Sequence, residues 1–203
     1  RKDAAQDYPP EVIHEASLLY QSMREEEAEK LAHTIIVLTQ GFIDGVIGGG
    51  TKDYKSRFLA YLDSYKSIGP EQLRENLGYF LDCVIPVAEE IGMKMAIHAD
   101  DPAFPVLGLP RIVSTQEDLD WIFKRHASVN NGLTFCSGSF GSNQTNDLPG
   151  MVSRFKSRIH FVHLRNLRFI GQKSFYESGH LEGDLNLVAL VKALQTERRL
   201  PMR

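Results

Sequence analysis

Lys94-Met-Ala-Ile-His-Ala-Asp-Asp-Pro102 is a short apolar run that ends in His98 and passes directly into a polar loop. The same arrangement occurs twice more. Leu133-Thr-Phe-Cys-Ser-Gly-Ser139 ends its apolar run at Cys136, and Ile159-His-Phe-Val-His-Leu-Arg-Asn166 ends it at His163. Apolar strands that terminate in a His or Cys at the start of a polar loop are how an α/β barrel builds its active site. The spacings are 136 − 98 = 38 and 163 − 136 = 27 residues, against roughly 31 residues per strand–helix unit in a (β/α)8 barrel. Imidazole and thiolate together suit Mn, Fe, Co or Zn better than Mg or Ca. The expected fold is therefore α/β, a (β/α)8 TIM barrel of which this chain carries a part, with a metal held by His98, Cys136 and His163.

Outward from these segments, residues 92–203 read as alternating strands and helices. Strands are expected at 94–98, 133–136, 159–163 and near 199–203, with helices at 116–127, 146–157 and 184–196. Such alternation implies parallel pairing and right-handed crossovers. The segments that follow the strands, 99–115, 137–145 and 164–183, read as long loops, which are uncommon unless they carry function. The segments before the strands are short, so the site is expected on the strands' C-terminal side. Residues 1–91 read as helical segments of the same single domain. Pro9-Pro10 start a helical region to about residue 40, and Glu25-Glu-Glu27 in it reads as a solvated face. Gly41–Gly50 reads as a loop, and Gly48-Gly-Gly50 lacks the spacing of either nucleotide-binding fingerprint. Lys52–Tyr65 has helical spacing of Tyr54, Phe58, Tyr61, Leu62 and Tyr65. Pro70 opens a long helix to about Glu90. Its expected apolar face is Leu73, Leu77, Phe80, Leu81, Val84, Val87 and Ala88, and Pro86 is expected to kink it.

The 203 residues, 42% of them hydrophobic, suffice for a sizeable core but are few for a complete barrel. A net charge of −3 without a basic patch argues against a nucleic-acid partner. No apolar run approaches the roughly 18 residues of a membrane span, and the N-terminus lacks a signal-peptide core. Two cysteines imply a reducing compartment, the cytoplasm, and Cys83 reads as a buried small hydrophobe. The absence of an initiator Met suggests a fragment or a processed product.

Further polar residues cluster around the three ligands. Asp100 and Asp101 follow His98, where a carboxylate either bonds backbone N–H groups or meets substrate hydroxyls. Arg165 and Asn166 follow His163, and a guanidinium there suits bidentate binding of a carboxylate or a surface ion pair. Ser137-Gly-Ser139 offers small hydroxyls for a polyol, or an ordinary turn. His180, in Glu177-Ser-Gly-His-Leu-Glu-Gly-Asp184, reads as able to reach over the site. His14, His33, His126 and His160 read as surface or packing residues. His160 lies on the opposite strand face from His163. No Gly-x-Ser-x-Gly elbow supports a serine triad.

These segments resemble the mannonate dehydratase family. The resemblance rests on Leu73-Arg-Glu-Asn76, Ile85-Pro-Val-Ala-Glu-Glu90, His98-Ala-Asp-Asp-Pro102 and Gly108-Leu-Pro-Arg-Ile-Val-Ser114. It continues through Asn131-Gly-Leu-Thr-Phe-Cys-Ser-Gly-Ser139, Thr145-Asn-Asp-Leu148, Phe161-Val-His-Leu-Arg-Asn166 and Gly179-His-Leu-Glu-Gly-Asp184, and spans about residue 8 to Arg203. It implies a barrel related to sugar isomerases and a metal-dependent dehydration of D-mannonate to 2-keto-3-deoxy-D-gluconate in hexuronate breakdown. It also implies Mn(II) or Fe(II) as the cofactor, His98, Cys136 and His163 as ligands, and a homo-oligomer acting on a small sugar acid. Ala99 stands where the family usually has Pro. The family's fourth ligand, an Asp in a Pro-Asp-His-Gly motif with a catalytic His, is expected directly beyond Arg203. A sugar isomerase on the same barrel would favour a carboxylate-rich, two-metal site, and an inactive partial barrel would serve only as an interaction unit.

Overall fold

In the computed structural model, the structure describes residue 5 and residues 8–39, 54–171 and 173–197. The expected Gly41–Gly50 loop and the strand near 199–203 lie outside the described residues. The chain divides into two compact units, residues 1–69 with 107–109, and residues 70–106 with 110–203.

The first unit is helical, with α1 (Pro10–Ser22), α2 (Glu25–His33), a π-helical turn (Thr34–Thr39) and α3 (Tyr54–Ser64). Neither α1 nor α2 contains a buried residue. Phe58 is the buried member of the α3 stripe, while Tyr61 and Tyr65 are exposed.

The second unit contains α4 (Pro70–Glu90), β1 (Met95–His98), α5 (Gln116–Arg125), β2 (Asn131–Cys136), α6 (Ser137–Gly141), α7 (Leu148–Phe155), β3 (Ile159–His163), β4 (Asn166–Phe169), β5 (Phe175–Ser178) and α8 (Leu187–Glu197). β1, β2 and β3 form a parallel sheet in that order. Leu133 and Phe135 belong to the core, which includes Leu119 and Ile122 of α5, Met151 and Val152 of α7, and Leu81 and Ile85 of α4, and the half-buried Ile97 and Val162 pack against it. Three sequence signals place the helix starts. Pro70 opens α4. Thr115 and Asp118 form a reciprocal capping box on α5, and the Asp118 carboxylate also pairs with Arg74 at 2.6 Å. Asp147 caps α7 by accepting the Gly150 N–H at 3.1 Å. No helix among the described residues is long and apolar enough to cross a membrane.

Four local expectations are corrected. Cys83 is exposed. At 100° per residue, the buried positions Gly78, Leu81, Ile85 and Ala88 fix the inner face of α4, and Cys83 falls on the other side. Phe80 and Val87 are exposed for the same reason. The segment 137–145 begins with the helical turn α6 rather than a loop, its Phe140 packing on Phe135 with ring centroids 5.4 Å apart. The segment 164–183 contains an antiparallel hairpin, β4 paired with β5, in place of an open loop.

Candidate metal centre

Strand register brings the three ligand candidates together. His98 of β1 lies opposite Thr134, and Cys136 of β2 lies opposite His163 of β3. Thr134 and Cys136 are two residues apart, so His98, Cys136 and His163 share one face of the sheet. Their donor atoms all lie within 4.8 Å of one another. The Cys136 side chain is buried, and the two imidazoles are exposed at the sheet's C-terminal end.

The hydrogen bonds prepare this set for a cation. His98 Nδ1 lies 2.7 Å from the carbonyl oxygen of Ala99. A carbonyl only accepts, so Nδ1 carries the proton and Nε2 keeps its lone pair, which is the tautomer a metal requires. His98 Nε2 in turn lies 3.2 Å from His163 Nδ1. Two imidazole nitrogens bound to one tetrahedral ion sit about 3.3 Å apart. Phe161 packs edge-on against the His163 ring at 5.2 Å and restricts its rotation. The residues therefore fit a borderline transition metal, with one thiolate and two neutral imidazoles.

The remaining candidates divide by what their polar atoms already touch. Asp100 Oδ2 accepts the N–H groups of Ile112 and Val113 at 2.9 and 2.8 Å and the Ser114 hydroxyl at 3.2 Å. It ties the two ends of the 99–115 loop together. Ser137 is fully buried. Its hydroxyl donates to the Arg165 carbonyl at 2.7 Å and accepts the Arg165 N–H at 2.8 Å. Ser139 is fully buried, and its hydroxyl has no partner among the described residues. Asn166 is buried with its amide fully engaged. Nδ2 donates to the carbonyls of His180 and Leu185, and Oδ1 accepts from Leu167 and Leu185. His180 is exposed, and its Nε2 donates to the Leu164 carbonyl at 2.9 Å, beside His163. Asp101 and Arg165 pair with each other at 2.7 Å.

Two residues that organise this end of the sheet have no assigned role in the sequence reading, where Asn146 figures only within the quoted Thr145-Asn-Asp-Leu148 segment. Ser142 receives the Ala103 N–H at 2.7 Å and donates to the Ser139 carbonyl at 2.7 Å. Asn146 donates to the carbonyls of Ser114 and Phe140. Both link the loop after β1 to the turn after β2, and an isolated polar residue between helices gives no sign of such a bond. Gly138 is a third case. A Cβ there would lie 2.4 Å from Arg165 Nε, so the absent side chain leaves the Arg165 side chain its seat.

Two imidazoles and a buried thiol, delivered by three neighbouring parallel strands to one point, define an α/β protein built around a candidate transition-metal centre. The chain belongs to the D-mannonate dehydratase (UxuA) family, whose sequence model matches residues 12–203. It is 48% identical over 165 residues to a mannonate dehydratase of Chromohalobacter salexigens, covering 79% of this chain and 42% of that protein. It is 41% identical over 199 residues to one of Saccharophagus degradans, covering 98% of this chain and 48% of that protein. Among solved structures, the crystal structure of mannonate dehydratase from Streptococcus suis serotype 2 is similar with a TM-score of 0.67 and 36% identity, covering 78% of this chain and 45% of that one. The chain thus spans somewhat under half the length of these relatives.

Proposed function

We propose that this chain is part of a D-mannonate dehydratase, a hydro-lyase that eliminates water from D-mannonate to give 2-keto-3-deoxy-D-gluconate in hexuronate breakdown. The observation that carries the reading is the convergence of His98, Cys136 and His163 in a chain of this family. The three-stranded parallel sheet is read as part of a (β/α)8 barrel, with the site at its C-terminal end. Mn(II) or Fe(II) is the proposed ion, since thiolate with imidazole disfavours Mg and Ca. When bound, the ion supplies Lewis-acid stabilisation of charge on oxygen.

The chain's own residues supply positioning and proton exchange. Dehydration removes a proton alpha to the carboxylate and expels the β-hydroxyl as water. Arg165, two residues past His163, is assigned the substrate carboxylate, because a planar guanidinium binds it through two parallel hydrogen bonds. Asp101 pairs with the Arg165 side chain, the Ser137 hydroxyl fixes the Arg165 backbone, and Asp100 and Asn166 hold the surrounding loops in shape. His180 is the proposed proton-exchanging group within this chain. Its Nε2–H is held by Leu164, which leaves Nδ1 with the lone pair. The enzyme is proposed to work in the cytoplasm and as a homo-oligomer, and the exposed Leu18, Leu19 and Tyr20 of α1 support the second of these readings.

The test is a mannonate assay on the full-length protein with Mn(II) or Fe(II) under reducing conditions, following 2-keto-3-deoxy-D-gluconate. Wild type is expected to turn over. Arg165→Lys is expected to lower kcat/KM at least about tenfold, because an ammonium cannot reproduce the fork. Absence of product from D-mannonate overturns the activity. An unchanged kcat/KM in Arg165→Lys removes Arg165 from the site.

A further inference from the structure

Arg165 has two carboxylates at its guanidinium, one from the loop after β1 and one from strand β5. Its NH2 group lies 2.7 Å from Asp101 Oδ2, in the loop after β1, and its NH1 group lies 3.8 Å from Glu177 Oε2, on β5. Its Nε is buried and has no partner among the described residues. The side chain crosses Gly138, two residues past Cys136. Asp101 therefore engages one corner of a five-donor group, and the Glu177 contact is longer than a hydrogen bond. Two acids on one guanidinium also present net negative charge to any incoming carboxylate.

We propose that Asp101 is a built-in occupant of the carboxylate site on Arg165, displaced when an anionic sugar acid binds. The inference rests on the reading above that Arg165 receives the substrate carboxylate. Three observations support displacement over a permanent pair. The Asp101 side chain is 39% exposed and the Arg165 side chain 30% exposed, so water screens their attraction and makes it weak. The contact is single, whereas a substrate carboxylate can use two donors. The neighbouring Asp100 pins the backbone to Ile112 and Val113, so Asp101 can release Arg165 by side-chain rotation without moving the loop. A neutral polyol has no charge with which to displace Asp101. Asp101 thereby holds the Arg165 guanidinium in place until an anionic ligand arrives.

The experiment is calorimetric binding of D-mannonate as its 3-deoxy analogue, which has no β-hydroxyl to lose, and of D-mannitol to the Mn(II)-loaded full-length protein. Wild type, Asp101→Asn, Arg165→Gln and the double variant are compared, with metal content and thermal midpoint as folding checks. Removing the occupant is expected to lower the Kd for mannonate about threefold, a factor in keeping with a screened surface ion pair. Arg165→Gln is expected to raise that Kd at least about tenfold, and Asp101→Asn is expected to have no effect in its background. Mannitol binding is expected to gain less from Asp101→Asn than mannonate binding does. If Asp101→Asn weakens or leaves unchanged mannonate binding while Arg165→Gln abolishes it, the occupant role is overturned and the carboxylate assignment stands. If Arg165→Gln leaves mannonate binding intact, both are overturned. Asp101→Ser substitutes for Asp101→Asn should the latter fail the folding checks, with the same expectations.

Discussion

Cys136 sits where two demands on one side chain meet. Its sulfur completes the donor set with His98 and His163, while the residue is 1% exposed and ends a strand buried along its whole length. Thiolate favours softer ions, whereas a hydroxyl of similar shape is a poor ligand for them. Cys136→Ser is therefore expected to lower Fe(II) or Zn(II) affinity at least about tenfold. The stability of the metal-free protein should fall by no more than about 1–3 kcal/mol, the cost of an imperfectly satisfied buried hydroxyl. Metal content after equilibrium dialysis, set beside the metal-free thermal midpoint, separates the two effects. Retention of wild-type metal content would remove the thiolate from the site.

One side chain ties β4 to the segment that follows the β4–β5 hairpin. Asn166 makes four hydrogen bonds of 2.7–3.0 Å to the backbone at Leu167, His180 and Leu185. Asn166→Ala would leave several buried backbone groups unpaired, each costing about 1–3 kcal/mol. A loss of at least about 3 kcal/mol in urea unfolding is expected, with faster amide exchange at Leu167 and Leu185. A loss below about 1 kcal/mol with unchanged exchange would show that the hairpin is held by other contacts. The sequence signals of this element were weak. Asn166-Leu-Arg-Phe169 and Phe175-Tyr-Glu-Ser178 are four-residue strands, too short for alternation to stand out from loop composition. What joins the hairpin to the loop after β1 is tertiary. Phe175 lies edge-on to Phe104 at 6.4 Å and to Phe169 at 6.2 Å. By contrast, β1, β2 and β3 were legible because each apolar run ends in a ligand-type residue. Cys83 was misread because apolar content along α4 does not fix the phase of its buried face. The ligand triad could be listed from three apolar runs that each end in a His or Cys. Its tautomer state, set by the Ala99 carbonyl, could not, since it depends on where one backbone oxygen points.

At the scale of the second compact unit, the three ligands belong to three strands whose ends are held at 98, 136 and 163 by backbone pairing. Among the described residues β1 and β3 each pair with β2 alone in this sheet, and Phe161 on β3 is 56% exposed. An ion shared by all three strand ends would act as a clip across the sheet, and its binding energy would add to folding stability. At a free metal concentration of 100 times Kd the gain is about 2.7 kcal/mol. For a chain of this size that corresponds to a shift of roughly 5–10 °C in thermal midpoint. Chelation of the metal-loaded protein is therefore expected to lower the midpoint by about this amount. Re-addition of Mn(II) or Fe(II) should restore it. Amide exchange should rise at Thr134 and Phe161, on neighbouring strands below the ligands, more than in α3, which lies in the other unit. Calorimetry with and without chelator, repeated on Cys136→Ser, gives the comparison: the variant should lose most of the chelator-sensitive shift. If chelation strips the metal and the midpoint does not move, the ion is not bound by the folded sheet in preference to the unfolded chain, and His98, Cys136 and His163 do not clip the strands together.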